Sequence, residues 1–289
     1  MSMLKAIVAA PLIGAATLLP APFEARAAAP VAASQPFVSD RIEVRVEGQG
    51  RDVILIPGLA SSAEVWRDAI RRVPGYRYHL VQVKGFAGTK AGANAAGPVV
   101  SPVANEIARY IKQAGLKSPA LVGHSMGGTL AMMVAAAAPE RVGRVMVVDM
   151  LPEPAGLLGG NSLSVASFAT GLRDMLTRTP AGRQILTNFL SNYGGGQARD
   201  ADPDVVAQAT HELALTDLTP QLARIKAPLT IVYAAPAAPA EASRVTANYR
   251  RAYATAKGAR LVAVPNSGHM VMADQPARFQ QALEDFLAP

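Results

Sequence analysis

The chain contains no cysteine. That excludes a disulfide scaffold, a cysteine-ligated zinc or iron–sulfur site and a cysteine nucleophile. Charge is also sparse: 17% of the residues are Asp, Glu, Lys or Arg, against 50% hydrophobic. Such a composition buries enough apolar surface to fold, so a mostly disordered chain is excluded. The formal net charge of +7 is spread along the sequence without a Lys/Arg-rich run, which argues against nucleic-acid binding. Apolar runs are short: the stretch Ala6 to Leu19 is broken by Pro11 and Gly14. It falls below the roughly 20 residues a spanning helix needs, so no stable membrane span is expected. What remains is a chain of 289 residues, long enough for one large domain or one domain carrying an insertion.

Residues 1–27 read as an address. Lys5 supplies a positive start, an apolar stretch follows, and Ala25-Arg26-Ala27 forms an A-x-A cleavage pattern. This is the layout of a signal peptide and predicts a periplasmic or secreted protein. The Ala/Pro/Ser stretch of residues 28–40 is expected to be a flexible lead-in.

The body alternates strand and helix. Arg41 to Val46 alternates with period two, and Asp52 to Ile56 is a continuous apolar run of the kind found in covered central strands. Ser61 with Glu64 suggests a capping box that opens a helix to about Val73. Further strands are expected at Tyr78–Val83, Pro119–Val122, Val145–Val148, Leu229–Tyr233 and Leu261–Val264. Helices are expected at about 101–115, 126–138, 241–256 and 275–287. Strands separated by helices give an α/β fold, a mostly parallel sheet flanked by helices. Residues 151–222 show no strand pattern. They read as a helical lid inserted into a core formed by residues 41–150 and 223–289. In open α/β sheets the ligand crevice lies at the carboxyl ends of the strands, and the insertion leaves from that end. The apolar positions from Leu157 to Leu176, Met175 among them, would form either its underside or a small core of its own.

The strongest motif is Gly123-His124-Ser125-Met126-Gly127-Gly128. It fits G-x-S-x-G, with an apolar strand entering and an Ala/Met-rich helix leaving. Ser125 is expected on a strained turn, with the glycines keeping side chains out of the crowded bend. The N–H of Met126 then opens a helix whose dipole favours a developing oxyanion. A second signal is His269, in Pro265-Asn-Ser-Gly-His269, between the last strand and the last helix. It emerges at the same sheet end as Ser125 and can serve as general base. A third is Ile56-Pro57-Gly58-Leu59-Ala60-Ser61, where the N–H of Leu59 can complete an oxyanion hole with Met126. His79, His124 and His211 are read as packing residues, and Trp66 as core. Met150, Met270 and Met272 flank the site loops and are read as candidate lining of an apolar pocket.

These pieces, in this order, resemble the α/β-hydrolase fold superfamily. The resemblance covers roughly residues 41–289, and the elbow is similar to those of its esterases, carbon–carbon bond hydrolases and cofactor-free haloperoxidases. It implies Ser125 as nucleophile, His269 as base, and Leu59 and Met126 as oxyanion donors; a mechanism built on these residues needs no metal or organic cofactor. The superfamily usually carries its third triad member after the strand that follows the lid. Here that position reads Ala234-Ala-Pro-Ala-Ala-Pro-Ala240, without an acid before Glu241. Some members place the acid one strand earlier, where this chain has Asp149. Asp149 is therefore favoured, with Glu153 and Glu241 left open. Asp274 reads as a helix N-cap and Asp217 as a turn residue. In Val83-Lys84-Gly85-Phe86-Ala87-Gly88, Lys84 stands where the superfamily often has Asp, and the loop matches no phosphate-cradling pattern.

The sequence thus predicts a serine hydrolase acting on an ester-like bond in a small to medium, moderately hydrophobic substrate. Carbon–carbon bond hydrolysis, lactone or amide cleavage and perhydrolysis on the same scaffold are alternatives. So is a non-catalytic protein that binds an apolar ligand. The oligomeric state is not legible.

Overall fold

The computed structural model describes residues 36–155, 169–171, 173–175, 179–182, 184 and 200–288. The segment expected to be the signal peptide and most of the lead-in lies outside the described residues, as do the lid positions Leu157, Leu158, Leu163, Phe168, Leu172 and Leu176.

The first strands are β1 (Ile42–Gly48), β2 (Arg51–Ile56) and β3 (Tyr76–Val83). They are followed by β4 (Ala120–His124), β5 (Arg144–Val148), β6 (Leu229–Ala235) and β7 (Arg260–Pro265). The seven form one sheet in the order β1-β3-β2-β4-β5-β6-β7. Only the β1–β3 pairing is antiparallel. The helices whose bounds lie among the described residues are α1 (Arg67–Arg72), α2 (Val100–Gln113), α3 (Met126–Ala137), α4 (Pro203–Leu215), α5 (Pro239–Ala252), α6 (Val271–Asp274) and α7 (Pro276–Leu287).

The apolar runs explain the layering. In β2, Val53 and Leu55 pack with Trp66 of the turn before α1 and with Phe279 and Leu283 of α7, whereas Ile54 and Ile56 pack with the side chains of α2 and α3. A strand buried on both faces has no polar side to present, which is why its sequence does not alternate. Trp66 is fully buried and lies 6.1 Å from the Phe279 ring, as core. Met132 and Met146 are also core, and so are Met150 and Met272, which were expected at a pocket wall; only Met270 of that group is part-exposed.

Two local readings change. The helix expected from Ser61 begins one residue later: Ser62 Oγ accepts the Glu64 N–H at 3.1 Å, and a single 3₁₀ turn precedes α1. Glu64 does not return to the cap. Its carboxylate is taken by Arg45 and Arg67, because two guanidinium groups outcompete one backbone N–H for it. Asp274 caps no helix, since α7 opens without a side-chain cap; its role emerges at the site below.

Of the stretch expected to be a lid, residues 200–222 belong to the packing of the main body. Val205, Val206, Ala209, Leu213, Leu218 and Leu222 are buried in the core on the α2–α3 face. Both oxygens of Glu212 accept backbone N–H groups at the start of α2, from Val99 and Val100, each at 2.8 Å. Asp217 accepts the Thr219 N–H at 2.8 Å, an Asx turn as expected. No strand occurs between β5 and β6 among the described residues. No described helix is long and apolar enough to cross a membrane.

Candidate active site

The carboxyl edge of the sheet gathers the residues the sequence singles out. β4 ends at His124, and Ser125 follows with φ 54° and ψ −123°. A left-handed backbone at a non-glycine residue costs of order 1–3 kcal/mol and persists only where its surroundings enforce it. The enforcement here comes from the neighbouring glycines. A Cβ on Gly123 would lie 2.0 Å from the Gly127 carbonyl oxygen, and one on Gly127 would lie 2.2 Å from that of Ile56. Helix α3 starts directly after Ser125. The Met126 N–H is therefore among the first-turn donors that have no partner inside the helix. The β2 loop lies against this bend: a Cβ on Gly58 would sit 3.2 Å from Ser125 Cβ, which brings the Leu59 segment beside the elbow.

β5 ends at Val148, and Asp149 follows with φ 50°. Asp149 is 7% exposed, and its Oδ2 lies 2.7 Å from His269 Nδ1. Its Oδ1 accepts the Ala234 N–H and the Tyr249 hydroxyl, both at 2.9 Å. Burial pushes this carboxyl up, but hydrogen bonds from His269 and the Ala234 N–H, with further help from Tyr249, outweigh it and leave the group below its ordinary value. An ionised carboxylate only accepts, so His269 Nδ1 is the donor of this bond. Among the three acids left open by the sequence, the one that meets His269 is Asp149. Glu241 stands exposed on the first turn of α5. The Ala234 position, which lacks the acid usual in the superfamily, contributes a backbone donor to the acid one strand away.

The loop from β7 to α6 carries His269, whose side chain is 46% exposed. Two contacts hold it. The Asp274 carboxylate accepts the Gly268 N–H at 2.9 Å, which is why it is not available as a helix cap. His124 Nε2 donates to the His269 carbonyl oxygen at 2.8 Å, and the two imidazole rings lie 4.7 Å apart. His124 immediately precedes Ser125, so this contact sets the His269 ring beside the elbow. His124 is 2% exposed, and burial, reinforced by the proximity of His269, lowers its pKa to about 4. The ring is neutral, and its Nδ1 has no hydrogen-bond partner among the described residues.

Sequence reading passed over His124 and Tyr249 as contributors. His124 lies inside the serine motif, where a packing role already accounts for it. Tyr249 could have been suspected from Tyr249 and Tyr253, an i, i+4 aromatic pair beside the exposed Arg250 and Arg251 of a charged helix. His79 is buried between Asp52 and Tyr110, away from the site, as expected for a packing residue. His211 bonds Thr170 at 3.0 Å. Among the described residues no group of three or more His, Asp or Glu could hold a metal ion.

The model of the alpha/beta hydrolase family matches residues 53–282. Among relatives, the chain is 31% identical over 105 residues to a putative carbamate hydrolase, RutD, of Azorhizobium caulinodans, covering 36% of this chain and 39% of that protein. It is 31% identical over 139 residues to the pimeloyl-[acyl-carrier protein] methyl ester esterase of Aliivibrio salmonicida, covering 47% of this chain and 51% of the relative. A diacylglycerol lipase of Mus musculus is 27% identical over 205 residues, 64% of either chain. The match thus spans between two fifths and two thirds of the length of these relatives. Among solved structures, an esterase from Exiguobacterium antarcticum superposes with a TM-score of 0.67 at 20% identity, covering 85% of this chain and 94% of the other. An enol-lactonase from Burkholderia xenovorans gives 0.59 at 17% identity, covering 85% and 96%; both likenesses concern the fold. A strained serine between strand and helix, a mostly parallel seven-stranded sheet with one antiparallel edge and a family match running from β2 into the last helix agree with one another, and the chain belongs to the alpha/beta hydrolase family.

Proposed function

We propose that the protein is a serine hydrolase that cleaves an ester-like bond in a small to medium, moderately hydrophobic substrate through Ser125, His269 and Asp149. The observation that carries this reading is the 2.7 Å bond from His269 Nδ1 to Asp149 Oδ2, made by an acid one residue past the strand next to that of Ser125. With Nδ1 so engaged, Nε2 takes the Ser125 proton as Oγ attacks the substrate carbonyl. The N–H groups of Leu59 and Met126 bear the charge of the tetrahedral intermediate. Its collapse expels the alcohol, which takes its proton from His269 and leaves an acyl-serine. Water then attacks the acyl carbon, giving up a proton to the same nitrogen. The second collapse returns that proton to Ser125 and frees the acid.

The names of the matched relatives support the ester class: a methyl ester esterase and a diacylglycerol lipase act on carboxylic esters, and a carbamate hydrolase on a related carbonyl. The insertion leaves β5 at the sheet edge that carries Asp149, which supports the reading of its residues before 200 as a lid. The signal-type segment of residues 1–27 supports export, and cell fractionation with an antibody to the chain would test it.

A fluorophosphonate probe tests the chemistry. Stoichiometric labelling located on Ser125 by mass spectrometry, with burst release of nitrophenol from para-nitrophenyl butyrate, is the expected result. Absence of both in the wild-type protein, or labelling that survives Ser125→Ala, would overturn the reading. A panel of esters and lactones then ranks substrate classes by kcat/KM.

A further inference from the structure

Asp149 is held by more donors than a bond to His269 requires. Its Oδ1 receives the Ala234 N–H from the end of β6 and the Tyr249 hydroxyl from α5, 100 residues away in sequence. We propose that Tyr249 is a positioning residue of the hydrolytic site, its hydroxyl fixing the Asp149 carboxylate so that Oδ2 faces the His269 imidazole. The proposal rests on the reading of Ser125, His269 and Asp149 given above and assigns the device that allows an acid after β5 to do this work.

A carboxylate on a flexible side chain can rotate about its last torsion, which is broad and has no sharp well of its own. Two donors converging on Oδ1 from different elements stop that rotation and leave Oδ2 as the one oxygen facing His269. Tyr249 is suited to the task because it is buried and packed against neighbouring rings. It is 2% exposed, and its ring stacks on Tyr233 with centroids 4.4 Å apart and planes at 18°. The Tyr253 ring lies nearly parallel to it, with centroids 6.4 Å apart. The Tyr253 hydroxyl donates to the Met150 carbonyl at 2.7 Å. Two hydroxyls from one stretch of chain thus hold two consecutive residues, the acid and its successor. Burial, with the charge of Asp149 acting in the same direction, pushes the Tyr249 hydroxyl well above its usual range, so it stays a donor. Removing that hydroxyl leaves Oδ1 of a buried carboxylate with the Ala234 N–H as its one remaining donor among the described residues.

The test is a double-mutant cycle with para-nitrophenyl butyrate, built from Tyr249→Phe, Asp149→Asn and the double variant. Tyr249→Phe keeps the ring and its stacking. It is expected to lower kcat about 10-fold or more, with KM within about twofold of wild type. In the Asp149→Asn background the same change should cost little further. The downfield proton resonance of His269 Nδ1–H should shift or broaden in Tyr249→Phe. Tyr233→Phe, whose hydroxyl meets Thr246 Oγ1 at 3.1 Å, serves as the packing control and should keep kcat near wild type. Unchanged kcat in Tyr249→Phe, an equal loss in both backgrounds, or an equal loss in Tyr233→Phe would overturn the positioning role. Full activity in Asp149→Asn would instead overturn Asp149 as the acid of the site, and absence of turnover and of Ser125 labelling in the wild-type protein would overturn the hydrolytic reading itself, so the failures are distinguishable.

Discussion

Ser125 and Asp149 occupy matching places on adjacent strands. Each stands one residue past its strand, each has a left-handed backbone, and each extends the sheet by one further bond. The Ser125 N–H donates to the Val148 carbonyl at 2.9 Å, and the Asp149 N–H to that of Val232 at 2.8 Å. The reversed φ turns both side chains off the alternating pattern of the sheet and toward its carboxyl edge, where the β7 loop delivers His269. Two separate strains are therefore spent on one geometry, which is how strain is commonly distributed at functional sites.

The elbow glycines are predicted to be the least replaceable residues of the site. In Gly127→Ala the added methyl meets the Ile56 and Pro57 carbonyls, and backbone atoms cannot step aside. The expected outcome is a loss of about 3 kcal/mol or more in urea unfolding, together with loss of activity. Gly58→Ala is milder. Its methyl would meet His124 Nδ1 at 3.0 Å and Ser125 Cβ at 3.2 Å, contacts that a shift of a few tenths of an ångström relieves. Stability should stay within about 1 kcal/mol while kcat falls, because the displaced groups belong to the site. Parallel unfolding and rate measurements on the two variants check the contrast.

The choice among acids yields a second prediction. Asp149→Asn should reduce kcat by a factor on the order of 10³–10⁴, since an amide in that place permits the wrong imidazole tautomer. Glu241→Gln changes an exposed residue on α5 and should leave kcat unchanged and stability within about 0.5 kcal/mol. Steady-state rates of the two variants decide the matter. Full activity in Asp149→Asn or a collapse in Glu241→Gln would reverse the assignment.

The parts of this site that were legible in sequence were those with local causes. An unbroken apolar run marks a strand covered on both faces, so β2, β4 and β5 could be placed to within a residue or two. The glycine spacing around Ser125 follows from steric crowding within six consecutive residues. Asp149 could be named because it ends a strand beside that of the serine motif, and His269 because it lies in the loop between the last strand and the last helix. Long-range competition for hydrogen bonds escaped the reading. Asp274 looked like a helix cap because its rival partner, the Gly268 N–H, sits on a loop whose path is set by tertiary packing. Glu64 looked like a capping-box partner because Arg45 and Arg67 approach it only in the folded sheet. Tyr249 gave no local sign of bonding Asp149, since nothing along the chain between them records that α5, packed against β6 and β7, brings its hydroxyl to the residue past β5.

His124 predicts how stability responds to acid. Its pKa is about 4 in the folded protein against an ordinary 6.5. Between those values the unfolded chain binds the additional proton, so the contribution is fully present above pH 6.5 and is lost as pH falls toward 4. The total is about 3 kcal/mol at 1.36 kcal/mol per unit. His79, also lowered by burial, acts with the same sign. Asp149, held below its ordinary value, adds a further loss at still lower pH. His124→Gln keeps a donor for the His269 carbonyl and removes the titration. Comparing urea unfolding near pH 7.5 and pH 4.5, its stability drop should be smaller than that of wild type by about 2 kcal/mol. An equal drop would show that another group carries the dependence.

Glu212 tests whether the last third of the insertion is body or appendage. Its two carboxylate oxygens accept the Val99 and Val100 N–H groups, and Gln208 donates to one of them at 2.8 Å. Backbone N–H groups at a helix start need acceptors, and the helix dipole favours an anion there. α2 has no cap from its own N-cap residue, Val99, so the insertion supplies what the local sequence lacks. Glu212→Ala removes both acceptors at once and should cost about 1–3 kcal/mol, whereas Glu212→Gln keeps one acceptor oxygen and should cost less. If α4 were a detachable lid, its loss of contact would leave the melting of the core unchanged and alter only access to Ser125. Because Val205, Ala209 and Leu213 lie in the same buried cluster as α2 and α3, the expected result is a single cooperative transition moved to lower urea. Hydrogen exchange should show the amides of α2 losing protection together with those of α4.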